Sequence, residues 1–243
     1  MILKRYIRSF DNTKIAYNYL KGENRDTIVV VVPGFWMSKD AAVFNELSAD
    51  LAVKYDVAVI DQRGHGSSGG WYSYTAREHE DINCVIEHFR QLYKKVVLMG
   101  FSLGAASSVI AAAKYKNIDG LILVSPPADF EKIENRWYRW PSAREWFFKL
   151  GVHMIKLRPG NLFLKKEKPV DLIGNLAPLP ILIVHGENDD IIFKHHAEEL
   201  FAKAKEPKKL RIIKDGLHAE DLYRKSGADF VLVINGFIHD ARV

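Results

Sequence analysis

Apolar and polar residues alternate from Lys4 to Phe10 and again from Lys14 to Leu20, with Asp11-Asn12 between them. Period-two alternation on either side of a turn pair predicts an antiparallel hairpin at the edge of a sheet. The pattern changes at Thr27 to Val32, an unbroken Ile/Val run after the threonine. A run apolar at every position predicts a strand covered on both faces, and therefore a parallel sheet with helices above and below it. Val57 to Ile60, the run that ends at Gly100, and Pro180 to Val184 repeat that signal, Ile118 to Val124 is a further apolar run around Asp119, and Leu210 to Ile213 reads as another strand. Between them the spacing is helical. Phe44, Leu47 and Leu51 share one face, as do Ile82, Val85, Ile86 and Phe89 behind a capping box at Thr75-Ala-Arg-Glu78. Small residues after Ser102, the stretch Phe193 to Ala204, and a final amphipathic stretch from about Ala228 complete the helices.

This alternation predicts an α/β fold with a mostly parallel, doubly wound sheet. The rhythm stops from Ala128 to Leu179, where Trp137, Trp140, Trp146, Phe147 and Phe148 gather. Residues 128–178 are therefore expected to form an inserted cap, with 1–127 and 179–243 making the core. Within the cap, Ser142-Ala-Arg-Glu145 is a second capping box, and Trp146, Leu150 and Met154 would stripe the helix it starts.

With 243 residues, 48% of them hydrophobic, the chain can bury the core of one large α/β domain. Its one cysteine, Cys84, permits no intramolecular disulfide, which suits a reducing cytosol. The start Met-Ile-Leu-Lys-Arg-Tyr has no apolar signal region, and the longest apolar run, Ile28 to Met37, is broken by Pro33 and Gly34. Neither a signal peptide nor a membrane span is expected. The net charge is +5, but Glu131 to Lys168 alone carries ten Lys or Arg against four Glu, which leaves the remainder near neutral. So local an excess, without a recognition motif, argues against a nucleic-acid binder.

The candidate chemistry centres on Gly100-Phe-Ser102-Leu-Gly104. A buried strand ends there and a helix begins, so the serine stands at the apex of a sharp turn with glycines where side chains would obstruct it. A serine hydroxyl attacks a carbonyl well only when a base takes its proton and a carboxylate fixes that base. His218 follows the last predicted strand in the loop Asp215-Gly-Leu-His218, and Asp189 and Asp190 follow the strand before it. Both lie at C-terminal strand ends, where such sheets build their sites.

Together these motifs resemble the α/β-hydrolases, in the order serine, acid, histidine. The match includes the elbow around Ser102, Asp61-Gln-Arg-Gly-His-Gly, the acid turn His185-Gly-Glu-Asn-Asp189 and the turn Gly216 to His218. Pro33-Gly-Phe-Trp-Met-Ser-Lys and the short cap look most like carboxylesterases of the feruloyl-esterase type or monoacylglycerol-lipase-like enzymes. The resemblance implies an α/β-hydrolase fold with eight strands, helices on both faces and a short cap. It implies Ser102 as nucleophile, His218 as base, and Asp189, three residues after Gly186, as acid. It also implies the N–H groups of Phe35 and Leu103 as the oxyanion hole, with Trp36 as the alternative first donor. Many relatives have His-Gly where this chain has Pro33-Gly34, a departure that keeps the backbone donor.

The remaining polar candidates read as structural. His65 and Arg63 are expected to brace their loop, His185 to be a structural histidine at a strand end, and His195-His196 to form a solvated helix face. Asp129 is an alternative acid. No metal-ligand spacing and no dinucleotide or phosphate loop is present, so no metal or cofactor is expected. The expected activity is hydrolysis of a small-molecule acyl ester through an acyl-enzyme. Trp36, Trp137, Trp140 and Trp146 are expected to bind the substrate. A thioesterase, amidase or peptidase using the same triad, or a non-catalytic binding protein on this fold, are the alternatives.

Overall fold

A computed structural model describes residues 2–133, 157–161 and 163–241. Eight strands form one sheet in the order β1-β2-β4-β3-β5-β6-β7-β8. They are β1 Leu3–Arg8, β2 Lys14–Leu20, β3 Asn24–Val32, β4 Tyr55–Ile60, β5 Lys95–Phe101, β6 Gly120–Val124, β7 Ile181–Gly186 and β8 Lys208–Ile213. β1 and β2 form the expected hairpin, and β2 is also antiparallel to β4. Every other neighbouring pair is parallel. This is the mixed, mostly parallel α/β-hydrolase sheet.

The unbroken apolar runs are explained by cover on both faces. In β3, Ile28, Val30 and Val32 point into the layer that holds Ile82, Val85 and Phe89, while Val29 and Val31 point into the opposite layer with Phe44, Leu47 and Phe230. All five β3 residues are fully buried, and each such side chain contributes about 1.5–3 kcal/mol. The helices are α1 Ala42–Leu51, α2 Glu78–Arg90, α3 Leu103–Tyr115, the single turn α4 Pro169–Leu172, α5 His195–Lys203 and α6 Glu220–Asp240. α1 and α6 cover one face; α2, α3 and α5 cover the other.

Three local expectations change. α2 begins at Glu78 itself, and Thr75 caps nothing: it lies at φ 77° with a buried hydroxyl that has no partner. Ser73 braces the turn that leads into the helix instead: its hydroxyl accepts the Arg77 N–H at 2.9 Å, and Glu78 accepts the Ser73 N–H at 2.7 Å, while the N-cap position itself, Arg77, receives no side-chain cap. The last helix starts at Glu220 rather than near Ala228, with a break at Ser226 (φ −126°, ψ 25°) that hides its first turns from a periodicity reading. His196 is fully buried, with its Nδ1 accepting the Ala128 N–H at 3.2 Å, so only His195 lies on the solvated face.

Trp137, Trp140, Trp146 and the Ser142 capping box lie outside the described residues. After residue 156, the Arg158 N–H donates to Gly64 O at 2.7 Å and the Gly160 N–H to Tyr72 O. Further along the chain, Ile173 and Leu176 join the core layer beneath α3 and α5. Among the described residues no helix is long and apolar enough to cross a membrane. Because β3 to β8 run parallel, their C-terminal ends and the loops that follow share one edge of the sheet. Chain order reverses between β3 and β5, which opens a crevice at that edge.

Candidate active site

Ser102 stands at the crevice. The turn between β5 and α3 holds it at φ 50°, ψ −122°, a conformation that costs a non-glycine residue about 1–3 kcal/mol and persists only where its surroundings enforce it. Those surroundings are tight. A Cβ on Gly100 would stand 2.5 Å from Ala105 Cα, and one on Gly104 would press on the carbonyl oxygens of Val32 and Pro33. No larger residue fits either position. The Ser102 N–H donates to Val124 O at 2.8 Å, which fixes the apex to β6.

His218 reaches this serine from the loop after β8. Its Nε2 is 3.0 Å from Ser102 Oγ, and its Nδ1 lies 2.9 and 2.8 Å from the two carboxylate oxygens of Asp189. With a carboxylate at Nδ1, that nitrogen carries the proton and Nε2 is left to accept from the serine hydroxyl. The histidine loop is bound to both neighbours. The Asn188 N–H donates to Gly216 O at 2.9 Å, and the Ala219 N–H donates to Ser125 Oγ at 3.0 Å.

Asp189, not its neighbour Asp190, supplies both of those oxygens. It is buried, and burial alone would raise its pKa; His218, His185 and the Ile192 N–H outweigh that and hold it below the usual carboxylate range. The N–H groups of Ile191 and Ile192 donate to Oδ1 at 3.1 and 2.9 Å. Asp129, the alternative acid, is engaged elsewhere. It accepts the Glu131 N–H and pairs with Lys168 Nζ at 3.0 Å.

On the other side of Ser102 the loop after β3 is drawn close, so that a Cβ on Gly34 would stand 3.1 Å from Ser102 Cβ. The N–H groups of Phe35 and Leu103 donate to no other group among the described residues. The Trp36 N–H, by contrast, is given to His65 Nε2 at 3.2 Å, and His65 Nδ1 donates in turn to Arg63 O. Burial pushes the His65 pKa down to about 4, so it remains neutral and serves both bonds. Asp61 anchors the same loop. It accepts the Ser38 hydroxyl at 2.9 Å and the Lys39 N–H at 2.8 Å, and the buried Lys39 ammonium lies 3.5 Å away. Beside this loop the Phe35 ring stacks on Trp36 and on Tyr72, and Tyr74 packs at a tilt against Phe35 and Tyr72.

Two supports are hidden from the sequence. Asp61 is visible only as part of a motif, because its partners Ser38 and Lys39 lie more than twenty residues upstream. His185 is the buried structural histidine that its strand end predicts, and its Nε2 is also 3.3 Å from Asp189 Oδ2; its position directly before the acid turn is the available signal. Among the described residues no group of three or more His, Cys, Asp or Glu side chains is arranged to hold a metal ion.

The sequence of the Alpha/beta hydrolase family matches residues 29–221. The chain is 31% identical over 192 residues to the uncharacterized protein YfhR of Escherichia coli K12, a match that covers 73% of this chain and 61% of YfhR. It thus spans about three fifths of that relative's length. It is 24% identical to the human serine hydrolase BPHL, over 92% of this chain and 87% of BPHL. The Pyrococcus furiosus esterase Pf2001 shares the fold with a TM-score of 0.79 at 18% identity, over 99% of this chain and 90% of that one. With the family match spanning most of its length, the chain belongs to the alpha/beta hydrolase family.

Proposed function

We propose that this protein is a serine hydrolase that cleaves small-molecule carboxylic esters. The observation that carries the reading is the continuous hydrogen-bonded line from Ser102 Oγ through His218 to the buried Asp189. Ser102 Oγ attacks the ester carbonyl as its proton passes to His218 Nε2, and Asp189 stabilises the imidazolium that forms. The carbonyl oxygen becomes an oxyanion held by the N–H groups of Phe35 and Leu103. The Leu103 N–H opens α3, where the helix dipole also favours negative charge. Collapse of the tetrahedral intermediate expels the alcohol, which takes the proton from His218. Water then attacks the acyl-enzyme by the same route and releases the carboxylic acid.

Trp36 and its stacked neighbours supply an aromatic wall for the acyl or alcohol group. In this reading Trp137, Trp140 and Trp146 of the 128–178 cap add to that wall. The cytosol is the compartment that suits the lone, half-buried Cys84. The test is a panel of p-nitrophenyl esters of graded acyl length, with a thioester and an anilide beside them, and labelling by a fluorophosphonate. Ester turnover and labelling are expected in the wild type and absent from Ser102→Ala, whose melting temperature stays nearly unchanged. More than a few per cent of the rate retained by Ser102→Ala would remove Ser102 as nucleophile.

A further inference from the structure

His185 ends β7 with its side chain fully buried, four residues before Asp189. Its Nε2–H donates to Ile192 O at 2.7 Å and lies 3.3 Å from Asp189 Oδ2. Ile192 closes the arrangement, since its own N–H donates to Asp189 Oδ1 at 2.9 Å. The imidazole therefore clamps the turn 189–192 from inside, with one N–H directed at the carbonyl of the turn and beside the carboxylate. The other ring nitrogen, Nδ1, is buried and has no hydrogen-bond partner. An unpaired buried polar atom is costly, and an aliphatic side chain of similar size would avoid that cost. Stability alone does not explain a histidine here; what it supplies is the N–H.

We propose that His185 is a positioning residue for Asp189: it holds the 189–192 turn so that both carboxylate oxygens stay on His218 Nδ1. This rests on the reading of Ser102, His218 and Asp189 as a catalytic triad. Burial lowers the His185 pKa and keeps the ring neutral, so the N–H stays on Nε2 across the neutral range while Ile192 O and Asp189 face it. Oδ1 is held by two backbone N–H groups, whereas Oδ2 faces His185. Without the bond from that N–H to Ile192 O, the 189–192 turn that aims Asp189 is released, and the carboxylate can lose one of its contacts with His218.

The experiment compares His185→Leu, His185→Gln and His185→Asn with the wild type on the best ester of the panel, reading kcat, KM and the downfield proton resonance of His218 Nδ1–H. Glutamine places an amide N–H where Nε2 stood; asparagine is too short to do so. We expect Leu and Asn to lower kcat about tenfold to a hundredfold with KM unchanged, the range for one hydrogen bond near a charged group, and to shift or broaden the resonance. Gln should recover most of both. If Leu does not fold, Asn carries the comparison. Wild-type kcat and an unmoved resonance in Leu or Asn would overturn the proposal, as would a Gln variant as slow as they are. Inactive wild type, or an active Ser102→Ala, would instead overturn the triad reading itself.

Discussion

Each side of Ser102 is supported by a buried, neutral histidine, and the two do different work. His65, in the loop after β4, accepts a backbone N–H and donates to a backbone carbonyl; its whole capacity goes into the shape of the Phe35 loop. Around it the charges are locked into pairs, Lys39 with Asp40 and Arg63 with Asp81. His185, at the end of β7, stands instead beside a carboxylate whose only charged partner in the reaction is the imidazole that must titrate. On the proposed reading, one side is a frame that presents backbone donors and moves no proton; the other holds side chains through which a proton passes. Oxyanion donors need fixed geometry and nothing else, so a frame of buried ion pairs can serve them. A triad acid must stay ionised yet paired with a histidine that changes charge, so its support comes from neutral N–H groups.

If this division is right, substitutions on the two sides fail in different ways. The largest effect belongs to the proton-carrying side. Asp189→Asn leaves His218 in the wrong tautomer and should lower kcat about 10⁴-fold, as in the serine-protease precedent, with a normal circular dichroism spectrum. Asp190→Asn leaves the His218 contacts in place and should change kcat less than threefold. A crippled Asp190→Asn beside a healthy Asp189→Asn would reverse the assignment. Two healthy variants would return Asp129 to consideration.

On the frame side the loss should appear in stability. Arg63 and Asp81 are both buried, with Nε–Oδ2 and Nη2–Oδ1 contacts of 2.6 Å, and Arg63 also reaches Asp11. Burial disfavours the guanidinium charge, but Asp81 and Asp11 more than restore it, so Arg63 stays protonated. Asp81→Ala strands that charge in the interior and should cost about 3–5 kcal/mol, read by urea denaturation. Turnover per folded molecule should fall far less than in Asp189→Asn. Wild-type stability in Asp81→Ala would remove the ion pair from any account of the frame.

The division also marks what the sequence made legible. Strand runs such as Thr27 to Val32, and the placement of Ser102, Asp189 and His218 in loops at strand ends, were readable because each depends on local pattern: an apolar run, a glycine-flanked turn, a loop after a strand. The braces were not, since their partners are set by the tertiary fold. Asp61 meets Ser38 and Lys39 only when β3 and β4 lie side by side. His196 reads as surface from the neighbouring His195, yet the turn of α5 carries it beneath Ala128. Thr75 leaves the start of α2 uncapped because two successive residues, Tyr74 and Thr75, adopt positive φ, which a propensity argument would not assign to a β-branched residue.

The smallest expected effect tests the two histidines against each other through pH. Burial lowers His65 from its ordinary 6.5 to about 4, and lowers His185 as well. His79, buried and near the Lys114 ammonium, is also lowered to about 4. For a group depressed in this sense the unfolded chain takes up the proton first. Stability is therefore complete above about pH 6.5 and falls as the pH drops towards 4, by up to about 1.4 kcal/mol per unit for each histidine. Asp189 works in a lower window, because a lowered carboxylate pKa loses its contribution only as the pH falls below about 4. His65→Gln keeps an acceptor near the Trp36 N–H but cannot titrate. Its unfolding free energy should decline less steeply between pH 6.5 and 5, a difference of about 2 kcal/mol at pH 5, measured by urea melts at closely spaced pH values. His185→Gln should flatten the same limb while its kcat stays near wild type. A slope unchanged by His65→Gln would mean that the imidazole under the Phe35 loop takes up its proton as readily in the folded protein as in the unfolded chain, and the neutral frame on that side would have to be abandoned.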